Sequence, residues 1–400
     1  MKFKRIFILT LVTAFIFGLS FNTALADQEK EQEKQKEEEK KPAIIYIPNE
    51  IKTIMESGLP ERMTRNDIPF SIHKNLYFIY GENILSVFVI KAKNSDLKFA
   101  PPFPVLPVPE KKAPEKKNEE PQQQEEQEKI IPTQVATELQ SNINVFIQFY
   151  VKEGEGSQKL YRELYIPFNL KVDAKSFDLE KEDYYFTSYP LPPGDYVMAM
   201  ALTSRDLQQV GTQYYEFSLP NPAAPRENLE TTSIFSAKKI ERKTELLTKA
   251  MIHREFFRYS YLEITPIVDN IFAPEVSLEL FFFVMGLQMN EQNKPDFDIN
   301  YEVIQGDKKI IRFSPQKYTD IILVCQPLPL KKTVLVRTEK NGEVTEKKEI
   351  RNLDPGEYQL VLSIKDNLSG KTGTATLDFS IKGPEEVLTE EEVKEKPVEK

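Results

Sequence analysis

Between about residue 70 and residue 380 the chain alternates apolar and polar positions with a period of two, the mark of strands that bury one face. Ile143, Val145, Ile147, Phe149 and Val151 share one such face, and Gly154-Glu155-Gly156 turns the chain into a second run at 160–170. Runs at 76–80 and 84–92 flank Gly81-Glu82-Asn83, a hairpin-type turn. Val276, Leu278, Leu280, Phe282 and Val284 line a later strand, read as the counterpart of the one at Ile143. Strand-like runs come next at 297–303 and 309–313, and Asn341-Gly342 between 333–337 and 346–350 is a strong hairpin signal. A helical period appears early: Asn49 is a good N-cap, Ile51, Ile54 and Met55 share a face, and Gly58 with Pro60 ends the turn. Ile240, Leu247 and Met251 suggest a second helical stripe.

The chain also repeats itself. Leu191-Pro192-Pro193-Gly194-Asp195-Tyr196 recurs 162 residues later as Leu353-Asp354-Pro355-Gly356-Glu357-Tyr358. The offset then holds without a gap through Gly211-Thr212 and Gly373-Thr374 to Phe217-Ser218-Leu219 and Phe379-Ser380-Ile381. Tyr196, Met198, Met200 and Leu202 answer to Tyr358, Leu360, Leu362 and Ile364, so both copies keep the same apolar face. In each copy Gly194 or Gly356 supplies the backbone freedom of a turn, and Tyr196 or Tyr358 can return its hydroxyl to the turn, as in the tyrosine corner of β-sandwiches.

These patterns predict an all-β protein built of two tandem immunoglobulin-like or fibronectin-like antiparallel sandwiches, with short helices and disordered linkers. The first module spans 43–220, a connector, in part helical, spans 221–254, and the second module spans 255–383. The pattern L-x-P-G-[DE]-Y, the polar turn at Ser369-Gly370-Lys371 and the closing F-S-[LI] resemble the paired sandwich regions of exported bacterial GWxTD-type proteins and of von Willebrand A-related proteins. The likeness runs through residues 72–381. No Trp is present, so the GWxTD signature is missing, and no Asp-x-Ser-x-Ser metal site occurs. The resemblance therefore implies a fold and carries over no functional residue.

Outside the modules, composition changes. Lys2, Lys4 and Arg5 precede an apolar run at 6–21 and Ala24-Leu25-Ala26, which reads as a secretory signal over residues 1–26. Export to the periplasm or the extracellular space is implied, with no transmembrane segment left after cleavage. Residues 27–42 read as a charged tether, 101–134 as a Pro-, Glu-, Lys- and Gln-rich insertion in the first module, and 384–400 as an acidic tail, all expected to be disordered.

Removing the signal's three cations takes the formal charge from -9 to -12, which argues against nucleic acid as a partner. A single cysteine, Cys325, forms no internal disulfide, and its apolar neighbours at 321–324 suggest a buried thiol. The two histidines, His73 and His253, lie far apart in sequence and read as structural. Asp296, Asp298, Asn300 and Glu302 alternate with Phe297, Ile299, Tyr301 and Val303, the wet side of a strand rather than a calcium loop. No catalytic, cofactor or metal motif emerges. The expectation is a non-catalytic exported interaction or scaffold protein of the bacterial envelope with a protein partner. The alternatives are a carbohydrate- or peptidoglycan-binding protein, for which Tyr184, Tyr185 and Tyr189 are candidate contacts, and a hydrolase using a carboxylate pair.

Overall fold

In the computed structural model the described residues are 47–102, 137–154, 156–246, 249–340 and 343–383. The signal and tether expectations, most of the 101–134 insertion and the acidic tail fall outside them. The chain divides into 1–48, of which only Ile47 and Pro48 are described, and 49–400. The second unit is mostly β, with one α-helix among the described residues, α1 (Asn49–Gly58).

Seven long strands come first: β1 (Ser71–Tyr80), β2 (Asn83–Lys93), β3 (Ile143–Glu153), β4 (Ser157–Phe168), β5 (Glu182–Leu191), β6 (Gly194–Ser204) and β7 (Val210–Leu219). They form two antiparallel sheets with the orders β1-β2-β5 and β7-β6-β3-β4. The next group is β8 (Phe235–Arg242), β9 (Leu262–Pro266), β10 (Ser277–Met285), β11 (Phe297–Gln305), β12 (Lys308–Arg312) and β13 (Leu323–Pro329). Then come β14 (Lys331–Lys340), β15 (Glu343–Asn352), β16 (Gly356–Asp366) and β17 (Thr372–Ile381). Here too β10 lies between β8 and β13, and the second sheet runs β17-β16-β11-β12.

The two halves thus share one pairing order, which corrects one sequence-level equivalence. The strand with Leu278, Leu280 and Phe282 is β10, which pairs as β2 does. The counterpart of β3 is β11, next to β16. Hydrophobic alternation alone does not distinguish two inward-facing strands; their neighbours do.

The strands β2 and β10 are buried on both faces. Phe88 of β2 meets Phe149 of β3 and Phe217 of β7 at ring distances of 5.7 and 5.2 Å. From the other side of β2, Leu85, Val87 and Val89 enter a cluster with Leu76, Phe78, Phe186, Phe235, Ala237, Phe257, Ile264, Phe281 and Phe283. Likewise Leu278, Leu280, Phe282 and Val284 of β10 face the core of β11, β13, β16 and β17, while Phe281 and Phe283 face the first half. One apolar core therefore joins the two halves.

The stretch read as a partly helical connector is strand-bearing. Ile240 lies in β8, Met251 is exposed outside any helix, and Leu247 is outside the described residues. The helical stripe does not form because Phe235 and Ala237, two positions apart, both enter the shared core. Residues His253–Arg254 add to β5 as an edge strand, so the chain returns to the first half before completing the second. The Arg254 guanidinium donates to the buried Asp183 carboxylate at 2.8 Å, and Asn94 donates to the same group at 2.9 Å.

The helix α1 packs on the face of the β7-β6-β3-β4 sheet opposite the core. Tyr214 donates its hydroxyl to the Met55 carbonyl at 2.9 Å, and Lys52 pairs with Glu163 at 2.9 Å. The corresponding face in the second half is wet: Phe297, Ile299, Tyr301 and Val303 are buried, whereas Asn300 is exposed and Asp298 and Glu302 are half-buried.

Phe78 is the centre of the shared core, with ring contacts to Phe235, Phe257, Tyr259 and Phe281 at 5.5–6.3 Å. Phe78→Ala is expected to cost about 3–5 kcal/mol. Amide exchange under increasing urea should show β6 and β16 destabilised together. Destabilisation confined to the first half would disprove the coupling.

Candidate interaction surface

The repeat motif builds the same corner twice. Gly194 and Gly356 open β6 and β16 at φ of 152° and 149°, a region that side chains other than glycine avoid. Two residues on, the Tyr196 hydroxyl donates to the Pro192 carbonyl at 2.9 Å, and the Tyr358 hydroxyl to the Asp354 carbonyl at 2.8 Å. Burial pushes the Tyr196 hydroxyl up to about 12 and raises Tyr358 as well, so both remain donors at neutral pH. Tyr196 is the cross-strand partner of Phe217 and stacks on it at 5.4 Å; Tyr358 and Phe379 do the same at 5.6 Å. This pairing is why the two parts of the motif recur at a fixed spacing.

The repeated glycines after the corner have a role that the sequence did not reveal. At Gly211 the chain at residues 65–68 crosses the outer edge of β7: Thr212 N donates to Arg65 O at 2.9 Å, and Arg65 N to Thr212 Oγ1 at 2.8 Å. At Gly373 the incoming segment is Leu229, whose N–H donates to Thr372 O at 2.9 Å. A Cβ on either glycine would run into the carbonyl oxygen of Ile68 or Leu229. The available signal was Arg-x-x-Ile at 65–68 and Arg-x-x-Leu at 226–229, which is short and generic.

A further difference between the halves lies just before the second corner. In the first half, Pro190-Leu191-Pro192 leads straight to Gly194, with Leu191 opposite Ile84. In the second, Pro327-Leu328-Pro329 occupies the same place, with Leu328 opposite Leu278, but β14 and β15 intervene before the corner. They form a two-stranded ribbon in unbroken register from Lys331↔Asn352 to Lys340↔Glu343. Leu330 and Leu353 close its stem, both buried, with Leu353 N donating to Leu330 O at 3.3 Å.

Beyond its stem the described side chains of the ribbon are exposed or half-buried. Leu335 retains 59% and Ile350 74% of their accessible surface. The range 331–352 holds seven Lys or Arg and four Glu, a net charge of +3 within a chain of -9. Arg337 pairs with Glu346 at 2.6 Å and Arg351 with Glu349 at 2.9 Å, while Lys331 and Lys348 have no ion pair among the described residues.

Other sheet edges carry devices that discourage strand addition. The edges at β1, β4 and β12 each have a register break, and β13 carries Pro327 and Pro329. Leu160, Tyr161 and Tyr165 are exposed on β4, where Tyr161 is the residue that the break leaves unpaired. The ribbon has no such break.

The candidate chemical groups are dispersed. The His73 Nε2 lies 3.7 Å from the Asp269 carboxylate, which also accepts the Tyr184 hydroxyl at 2.8 Å. Tyr185 is buried and donates to Asn94 Oδ1 at 2.6 Å, and Tyr189 stacks on Phe149 at 5.8 Å. Tyr184 lies on one face of β5 and Tyr185 and Tyr189 on the other, with Tyr185 buried, so the three do not make one platform. Cys325 is exposed, contrary to the buried thiol expected from its neighbours, because Val324 and Leu328 take the core-facing positions of β13. Its sulfur is nonetheless shielded enough, beside Glu279, for desolvation to raise the thiol to about 11. No protein-family model matches this chain, and no curated protein matches it either.

Two measurements test this geometry. Gly211→Ala and Gly373→Ala should each lower the urea midpoint, with a loss of roughly 1–3 kcal/mol from forced overpacking; unchanged midpoints would refute the crossing contact. His253 stacks on Phe256 at 4.5 Å, and its buried Nε2 has no hydrogen-bond partner. Burial, aided by Arg258, lowers its pKa to about 4. The unfolded chain then binds the extra proton, so stability present above about pH 6.5 declines as pH falls toward 4, by about 3 kcal/mol at most. His253→Gln should flatten that decline in urea titrations; an equally steep decline would assign it to other groups.

Proposed function

We propose that this chain is a non-catalytic interaction or scaffold protein exported to the bacterial envelope. Its two halves are read as immunoglobulin- or fibronectin-like sandwiches. The reading is supported by the shared pairing orders of three and of four strands and by the tyrosine near the start of β6 and of β16. The observation that carries the functional reading is the ribbon of β14 and β15, a pair of strands in unbroken register, with Leu335 and Ile350 exposed, set on a pairing order that the two halves share. A two-stranded hairpin is marginal alone in water and gains from a third strand, which is how sheet edges recruit extended peptides.

In the native host, crosslinking of intact cells followed by recovery of this protein should yield a reproducible envelope protein. That contact should map to the ribbon and weaken when residues 331–352 are replaced by a short turn. Recovery of glycan alone, mapped to Tyr161 and Tyr165 on β4, would replace this reading with saccharide binding.

A further inference from the structure

The edge of β15 that faces away from β14 is complementary to itself. Among the described residues β15 has a strand neighbour on one side only, and no bulge or proline interrupts it. The Leu353 N–H turns in to Leu330 O, so the odd-numbered residues of β15 aim their backbone groups at β14. The alternate set, with Glu346, Lys348 and Ile350, therefore turns N–H and C=O toward the free edge. The strand holds three basic and three acidic residues, so it is neutral in a chain of -9 and meets a copy of itself without net repulsion.

A two-fold axis between antiparallel strands keeps every side chain on its own face of the sheet, so it must pass through a residue position and not between two. An axis at Lys347 sets Glu346 opposite Lys348 of the second copy, and the symmetry makes this pair twice. Lys348 has no ion pair within its own chain among the described residues, while Glu346 holds Arg337 on its β14 side at 2.6 Å. The same register places position 344, a valine, opposite Ile350, which is 74% exposed, and position 343, a glutamate, opposite Arg351. Its one like-charged pair is Lys347 with itself; Glu349, 4.0 Å from Lys347 within each chain, lies diagonally across that pair. An axis at Lys348 would put Glu346 opposite Ile350, and an axis at Glu346 would put glutamate opposite glutamate. Charge thus selects Lys347.

We infer that two copies of this chain associate through β15, edge to edge and antiparallel about a two-fold axis at Lys347. The two ribbons then form one four-stranded sheet in the order β14-β15-β15-β14. This adds neighbours to a ribbon that is marginal alone and closes an unprotected edge. The inference rests on the ribbon as the interaction element of the proposed function. Its test uses purified protein alone, so a monomer would overturn it and leave an envelope partner still to be found by crosslinking.

Sedimentation of the purified full chain should show a monomer–dimer equilibrium. Lys348→Glu and Glu346→Lys each set like charges opposite one another at two places, and each should weaken the dimer roughly 5- to 30-fold. A mixture of the two variants restores both opposite-charge pairs, so the mixed dimer should regain most of the lost affinity. Both positions are exposed, so neither change threatens the fold. In a Cys325→Ser background, Lys347→Cys should give a disulfide-linked dimer with a copper–phenanthroline oxidant, because directly opposite Cα atoms lie about 4.5–5.5 Å apart. Arg351→Cys should not, since its two copies would lie about 27 Å apart. A chain that stays monomeric overturns the proposal. So does a dimer that ignores both charge changes and forms no link at position 347.

Discussion

The structure depends on the aromatic core that Phe78 centres. Without it the molecule would be two separate sets of sheets, each with an apolar face in water. Burying Phe78, Phe235, Phe257 and Phe281 together makes a third core between the cores of the two halves. Its demand is written into the strands that serve two cores at once. From Ile84 to Ile90 in β2 and from Leu280 to Met285 in β10 every residue is buried. Strands with one wet face alternate; these cannot.

With the halves joined in this way, the repeated features read as scaffold. The corner tyrosines fasten a turn to the start of a strand, and Gly211 and Gly373 allow an incoming segment to cross the last strand at close range. Each device satisfies backbone groups that would otherwise be exposed at a sheet end or buried without a partner. The ribbon does nothing of this kind. It enters between equivalent Pro-Leu-Pro segments and the shared corner, and its exposed Leu335 and Ile350 contribute little to the core beneath.

Much of this architecture is legible in the chain's local pattern. The repeat, the pairing of β14 with β15, the helix from Asn49 to Gly58 and the buried face of Tyr196, Met198, Met200 and Leu202 all come from it. The misreadings have a common origin. Ile240, Leu247 and Met251 fit a helical spacing, and β10 resembles β3 in its alternation, because one-dimensional patterns record that a residue is apolar and not which surface it meets. Cys325 failed for the same reason: an apolar neighbourhood in sequence says little about which side of a strand is covered.

By itself the sequence determined the local structure: where strands and turns fall, which faces are apolar, and that one module is present twice. These depend on side-chain period, glycine freedom and proline geometry, all of which act over a few residues. Only the tertiary structure decided that the two halves share a core, that His253–Arg254 belongs to the first half's sheet, and that β14 and β15 pair without a break while the edges at β1, β4, β12 and β13 carry bulges or proline. Those outcomes depend on contacts between residues up to about 200 positions apart, such as Phe78 with Phe281. Such contacts form because unpaired apolar faces exclude water wherever the chain allows them to meet, which no local pattern specifies.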